Sequence, residues 1–417
     1  MVGMRRPVRL LSPMLLAGLL LALGCGGETP RPREAGLASP GLQPLSNPVT
    51  GSPTAESPER LAPVQGLGLC ALVRSEPAEA ERAAYASVSV FLVPQVDGAL
   101  TRALRKPFPQ AKVLLVRDLR PSAEAAAVPV SEADPTWLAR AGSEVGGIAT
   151  QGEARFDLSS PSAREGLAAA LTRQLQDSAA DGLYLQGVAL TSSPPVANEA
   201  AEAAQSPLVL GARELLGALR KSAPQASLIV EADLSDLDRM LLLVPEMDGL
   251  ALRVQVGWDA EAGGKWLTGL WNGVSKAAEA LAKGKRHLLL VPAWPEGESG
   301  KSQQSEGAVR QLMALYLLTW SERARVCIDP ALLASAGMDS AMGLGAPAGK
   351  SQEKDGVLSR EFPKARAFLN LNGKEAPLPK VEGMVDLSGG APPASLPGCG
   401  ALILVAPTAP PPNAAPA

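Results

Sequence analysis

Eight short apolar runs, separated by stretches with helical spacing, constrain this chain more than any other feature of its sequence. The runs are Leu67–Val73, Val88–Val93, Lys112–Arg117, Gly182–Val188, Ser227–Glu231, Gly249–Val254, His287–Val291 and Ala324–Ile328. Most are apolar nearly throughout instead of alternating, the pattern of parallel strands covered on both faces. Between them, Ser160-Pro161 reads as an N-cap followed by proline at the first helical position. Leu167, Leu171 and Leu175 then repeat every four residues on one helix face, and Gly211–Lys221, Lys265–Lys283 and Val309–Trp320 carry similar stripes. Eight strand–helix units predict an α/β fold, a (β/α)8 TIM barrel over residues 67–335. An open doubly wound sheet is the alternative, but no Gly-x-Gly-x-x-Gly fingerprint follows the first strand. From 336 to 406 the runs shorten and are punctuated by Gly, Pro and Asn: Gly356–Glu361, Ala365–Leu371, Gly383–Leu387 and Ala401–Val405. That spacing predicts a small antiparallel β module.

The two ends of the chain are of a different kind. Arg5, Arg6 and Arg9 precede an apolar stretch, Leu10 to Leu23, shorter than the roughly 20 residues that span a bilayer. It closes on Leu21-Ala22-Leu23-Gly24-Cys25, which resembles the lipobox of bacterial lipoproteins. Residues 1–24 are therefore expected to be a signal peptide, and Cys25 the residue that carries diacylglycerol and an N-terminal acyl chain such as palmitate. An ordinary secretory peptide with an incidental cysteine is the alternative. Two acyl signals anchor firmly where one does not. Gly26 stands where an inner-membrane retention Asp is often found, which favours the outer membrane of a two-membrane cell envelope. Residues 25–66, rich in Pro, Gly, Ser and Glu, read as a disordered linker, and 407–417 as a disordered Pro/Ala tail.

Composition excludes several functions. A formal charge of −3 leaves no basic footprint for nucleic acid. Cys70, Cys327 and Cys399 form no closely spaced pair of the zinc or redox type, and one disulfide among them is open. With His287 the only histidine, neither a His-rich metal site nor a Ser-His-Asp triad is expected, and no cofactor is called for. His287 opens an apolar run, so a structural place at a strand end is the expectation.

Several segments together resemble the glycoside-hydrolase-like (β/α)8 barrels, the "hypothetical glycosyl hydrolase" families related to bacterial polysaccharide-cleaving enzymes. Pro109-Gln110-Ala111-Lys112-Val113-Leu114-Leu115 is similar to their P-x-x-K-V-L-x-Y strand. Trp137-Leu138, then Phe156-Asp157-Leu158-Ser159-Ser160-Pro161, resembles the W-L … L-D-L-x-N-P approach to the third helix. Asp181-Gly182-Leu183-Tyr184-Leu185-Gln186 is similar to the D-G-V-F-L-D fourth strand, and Met247-Asp248-Gly249 to the V-D-G opening of the sixth. Gly356 to Phe362, followed by Ala367-Phe368-Leu369-Asn370, resembles the family's C-terminal β module.

The resemblance implies two carboxylates at the C-terminal ends of barrel strands, about 5 Å apart for retention or roughly 6.5–9.5 Å for inversion. The strand-four carboxylate falls on Gln186, and the end of strand six reads Arg253-Val254-Gln255. An amide cannot protonate a leaving group, so the resemblance also implies a lost catalytic pair. Candidate replacements are Glu231, Asp233 and Glu296. Gln186, Arg253, Asp118 and Asp329 are candidate saccharide-binding groups, with Trp258 and Trp294 in the loops after strands six and seven as stacking platforms. For each acid a helix cap or loop charge is the plainer alternative; Asp181 and Asp248, at strand starts, belong to the opposite face. Three functions stay open: a catalytically degenerate, envelope-anchored barrel that binds polysaccharide; an active glycoside hydrolase with a relocated carboxylate pair; and a structural or partner-binding lipoprotein without a glycan ligand.

Overall fold

A computed structural model describes residues 60–64, 67–119, 138–139, 144–145, 148–149, 155–188, 206–257, 264–293, 305–335, 338 and 344–407. The signal peptide, Cys25, most of the linker, Trp258, Trp294 and Glu296 lie outside the described residues. No helix among the described residues is long and apolar enough to cross a membrane.

Eight parallel strands close into a barrel: β1 (Leu69–Leu72), β2 (Val88–Val93), β3 (Lys112–Asp118), β4 (Gly182–Gln186), β5 (Ser227–Ala232), β6 (Gly249–Gln255), β7 (His287–Ala293) and β8 (Ala324–Cys327). Neighbours in sequence are neighbours in the barrel, and β8 returns to β1. Each strand is apolar on both faces because both are covered. Cys70, Val90, Leu114, Tyr184, Ile229, Ala251, Leu289 and Cys327 fill the interior. Phe91, Leu115, Leu183, Val230, Leu252 and Leu290 face the helical shell. Burying one such Leu or Phe contributes roughly 1.5–3 kcal/mol.

The two Asp-Gly openings have a shared physical reason. Asp181 accepts the Val113 amide at 2.9 Å, and Asp248 accepts the Leu228 amide at 2.8 Å, so each carboxylate ties its strand to the preceding one at the barrel's N-terminal end. The following glycine lets the next strand approach: a Cβ on Gly182 would stand 2.2 Å from the Ser227 carbonyl oxygen.

The shell consists of α1 (Arg82–Tyr85), α2 (Ala99–Arg105), α3 (Pro161–Ser178), α4 (Pro207–Ser222), α5 (Leu237–Met240, flanked by 3-10 turns), α6 (Gly264–Lys283), α7 (Glu306–Thr319) and α8 (Pro330–Ser335). In α3 the expected stripe Leu167, Leu171 and Leu175 is buried. In α6, Trp271 is buried but Trp266 is 37% exposed. The two lie five residues apart, about 140° around the helix, and cannot share one face. Helix α7 is buried from Gln311 to Thr319 with no polar side left, as expected of a helix covered on both sides.

Its outer cover is a five-stranded antiparallel sheet: β9 (Gln352–Lys354), β10 (Val357–Glu361), β11 (Ala365–Asn370), β12 (Val385–Asp386) and β13 (Ala401–Val405), in the order β9-β10-β11-β13-β12. Asp355-Gly356 joins β9 to β10 with φ of 53° and 75°, the left-handed pair a two-residue hairpin turn requires. β11 and β13 lie against α7. Arg360 reaches from β10 to the end of that helix, donating to the carbonyl oxygens of Leu318 at 3.0 Å and Trp320 at 2.8 Å. A cation there satisfies orphan carbonyls and complements the helix dipole.

The chain from Ser57 to Ala417 forms one compact unit. It includes residues 60–64, which composition places in the disordered linker. Leu61 is 1% exposed and packs into the interior cluster. Arg60 donates to Asp248 at 3.0 Å and to the Pro224 carbonyl at 2.9 Å, while the Ala62 carbonyl accepts from Arg325 at 2.6 Å. The segment plugs the barrel's N-terminal opening. One leucine among prolines is too little signal for composition to separate it from the linker.

Candidate functional site

Side chains alternate in and out along each strand, so the inward positions at the C-terminal ends are fixed once the interior is known. They are Leu72 on β1, Asp118 on β3, Gln186 on β4, Glu231 on β5 and Arg253 on β6, with Asp233 and Asp329 just beyond β5 and β8. Asp118 and Gln186 are register partners, and Gln186 stands one step beyond the Leu185–Val230 pair, which brings it level with Glu231. Three adjacent strands thus present acid, amide and acid at one height.

Glu231 is the centre of the arrangement. Its side chain is only 9% exposed. Oε2 accepts the Tyr184 hydroxyl at 2.5 Å and the Gln186 Nε2 amide at 2.9 Å. Oε1 lies 3.9 Å from Arg253 Nε. Burial and the adjacent Glu231 carboxylate push the Tyr184 phenol well above its ordinary value, so it remains a donor. Two donors on one oxygen and a guanidinium facing the other fix the carboxylate in orientation. Arg253 also lies 3.9 Å from Asp233 and is 46% exposed, while Asp233 is 61% exposed. Leu72, with 54% of its surface open, adds an apolar group at the same end.

The sequence-derived candidates divide accordingly. Glu231, Gln186, Arg253 and Asp233 come together; Asp118 stands beside Gln186. Asp329 has a different place: Oδ1 accepts the Ala331 amide at 2.9 Å and so caps the turn into α8, with the Tyr85 hydroxyl at 3.4 Å. Burial, followed by Asp329, pushes Tyr85 up to about 12. Arg117, next to Asp118, is buried and donates to the Pro94 carbonyl at 2.9 Å. Tyr184 was not singled out from sequence. Its signal was available: Tyr184 and Gln186 are two apart on one strand, and Glu231 ends the next. Among the described residues no three His, Cys, Asp or Glu side chains gather as a metal site.

The opposite end holds a second cluster of titratable groups. Asp248 takes Arg60, Arg220 at 2.8 Å and Arg286 at 3.7 Å. His287 Nδ1 accepts from Arg325 at 2.6 Å, and burial, reinforced by that guanidinium, lowers the ring to about 4. As expected, Asp181, Asp248 and His287 serve the strand starts.

No family model and no curated protein matches the chain. Solved structures do. The neighbours are glycoside hydrolases. The glycoside hydrolase domain of PelA from Pseudomonas aeruginosa is 16% identical, with a TM-score of 0.40 over 64% of this chain and 96% of that one. An α-amylase from Geobacillus thermoleovorans, complexed with acarbose, is 11% identical with a TM-score of 0.48 over 82% and 98%. A β-L-arabinopyranosidase from Geobacillus stearothermophilus is 11% identical with a TM-score of 0.48 over 84% and 98%. At these identities and scores no residue role passes from them to this chain; the barrel stands on its own strand ladder.

Proposed function

We propose that this protein is an envelope-anchored lipoprotein whose barrel binds a polysaccharide at its C-terminal mouth without hydrolysing it. The observation that carries the reading is the Gln186 amide donating to Glu231 Oε2, the same oxygen that takes the Tyr184 hydroxyl. Hydrolysis asks one carboxyl to protonate the leaving oxygen and a second to attack or to activate water. Here the strand-four position offers an amide, and Glu231 is committed to three neighbours. An amide, a phenol, a fixed carboxylate, a half-exposed guanidinium and an open leucine suit the hydroxyls and apolar faces of a sugar. The anchor follows from the lipobox ending in Cys25; replacement of Cys25 by Ala should abolish fatty-acid labelling and normal processing.

Binding is tested on a glycan array with the intact protein, followed by a reducing-end assay on each glycan retained. We expect retention without release of reducing ends, an affinity change only for Glu231→Gln, and no hydrolysis gained by Gln186→Asp, because the acid it supplies stands directly against Glu231, too close to leave room for a sugar or a water between the two carboxyls. Release by the wild type, lost in Glu231→Gln or Glu296→Gln, would establish a working hydrolase with a relocated pair. Retention of no glycan would leave a structural or partner-binding role.

A further inference from the structure

The seam at which the barrel closes carries two thiols side by side. β1 and β8 share only two register pairs, Leu69–Val326 and Cys70–Cys327, against seven between β6 and β7. Both cysteines are buried and belong to the interior cluster. Register partners with both side chains in the barrel interior, the two thiols stand next to one another across the seam. Neighbouring strands lie roughly 4.8 Å apart, within the roughly 4.4–6.8 Å Cα separation a disulfide spans. Cys399 sits apart in the turn before β13, its Sγ 3.7 Å from the Asn372 carbonyl.

We propose that Cys70 and Cys327 form a disulfide that joins the first strand of the barrel to the last. In the cell this rests on the exported reading above, because structural disulfides persist in oxidising compartments. The oxidant is a disulfide-bearing thiol compound or oxidoreductase. One cysteine thiolate attacks it, releasing a first thiol and leaving a mixed disulfide. The second cysteine displaces the other thiol. Two S–H bonds and the donor's S–S bond break, one new S–S bond forms here, and two electrons and two protons end on the two released thiols.

The environment sets when this happens. Burial, with Cys327 adding to it, pushes the Cys70 thiol well up, so the closed barrel holds little reactive thiolate. Exchange therefore precedes closure of the seam, and the finished bond is shielded from reductant in the folded protein.

The test uses the full chain, reduced in denaturant, refolded in a glutathione/glutathione-disulfide buffer, alkylated, and digested without reduction for mass spectrometry. The expected product is a peptide linking Cys70 to Cys327, with Cys399 alkylated. Breaking the link in denaturant and refolding without oxidant should lower the thermal midpoint by roughly 5–10 °C. Alkylation of both Cys70 and Cys327, or a statistical mixture of pairings, overturns the proposal. The same digest on protein from the envelope fraction separates the two readings. A link formed in the buffer but absent from cells supports the pair and counts against export.

Discussion

The two ends of the barrel hold similar side chains in opposite states. At the N-terminal end the charges are partnered and the central ones enclosed: Asp248 among Arg60, Arg220 and Arg286, Arg325 on His287 and the Ala62 carbonyl, with Leu61 closing the opening. At the C-terminal end Glu231 is held as firmly, but Arg253 and Asp233 stand half or more in solvent and Leu72 has no cover over half its surface. Enclosed charges that satisfy one another stabilise a fold and leave nothing for a ligand. A fixed carboxylate beside half-exposed partners leaves hydrogen-bonding capacity unspent. The contrast assigns stability to one end and, under the binding reading proposed above, recognition to the other.

The sharpest way to break that assignment is Asp248→Ala. It strands two close arginines and the Leu228 amide at the enclosed end, and the expected loss is about 3–5 kcal/mol, read as a fall in the denaturation midpoint. Saccharide affinity of the fraction that remains folded should be unchanged; a selective loss of binding would contradict the division.

A smaller effect comes from pH. His287 is held near 4 in the folded chain against 6.5 as its ordinary value. The unfolded state therefore binds the proton first. Stability from this group is fully present above pH 6.5 and is lost as pH falls toward 4, by up to about 3 kcal/mol. Urea melts between pH 7 and pH 4 should show this fall, and His287→Gln should flatten it. An unchanged slope in the variant would mean that the enclosed end does not set the acid sensitivity.

The smallest effect on stability belongs to Arg253→Ala at the open end. Its guanidinium is nearly half in solvent, both ion pairs are long at 3.9 Å, and Glu231 keeps the Tyr184 and Gln186 hydrogen bonds, so the midpoint should move by no more than about 0.5 kcal/mol. Binding of any retained glycan should weaken about tenfold by titration calorimetry. A variant with a much lower midpoint whose folded form binds as before would reverse the comparison.

Most of the architecture was legible because both faces of the strands are buried. Val88–Val93 was bounded to the residue, and His287–Val291 fell short by two residues at its C-terminal end. The four-residue helices α1 and α5 were not legible, since one turn carries no period to read. Nor was β9, Gln352-Glu353-Lys354, which is polar and exposed and is a strand only through its pairing with β10. At the mouth, sequence named Glu231, Gln186 and Arg253 but not their connection. That connection depends on Tyr184, whose run reads as plain core until register sets its hydroxyl under a carboxylate two residues above the next strand's Ile229. Asp329 takes the cap that stood in sequence as the plainer alternative to a binding role, since a cap and a binding acid look alike at a strand end.

The segment from Arg60 to Val64 has one more consequence. It closes the end of the barrel opposite Glu231, so the residues that stopper one mouth leave the other open. Under the anchored reading proposed above, a cut ahead of Arg60 releases an intact barrel, whereas a cut between Leu61 and Leu67 detaches Leu61 and the Asp248 ion pair and leaves the barrel uncorked.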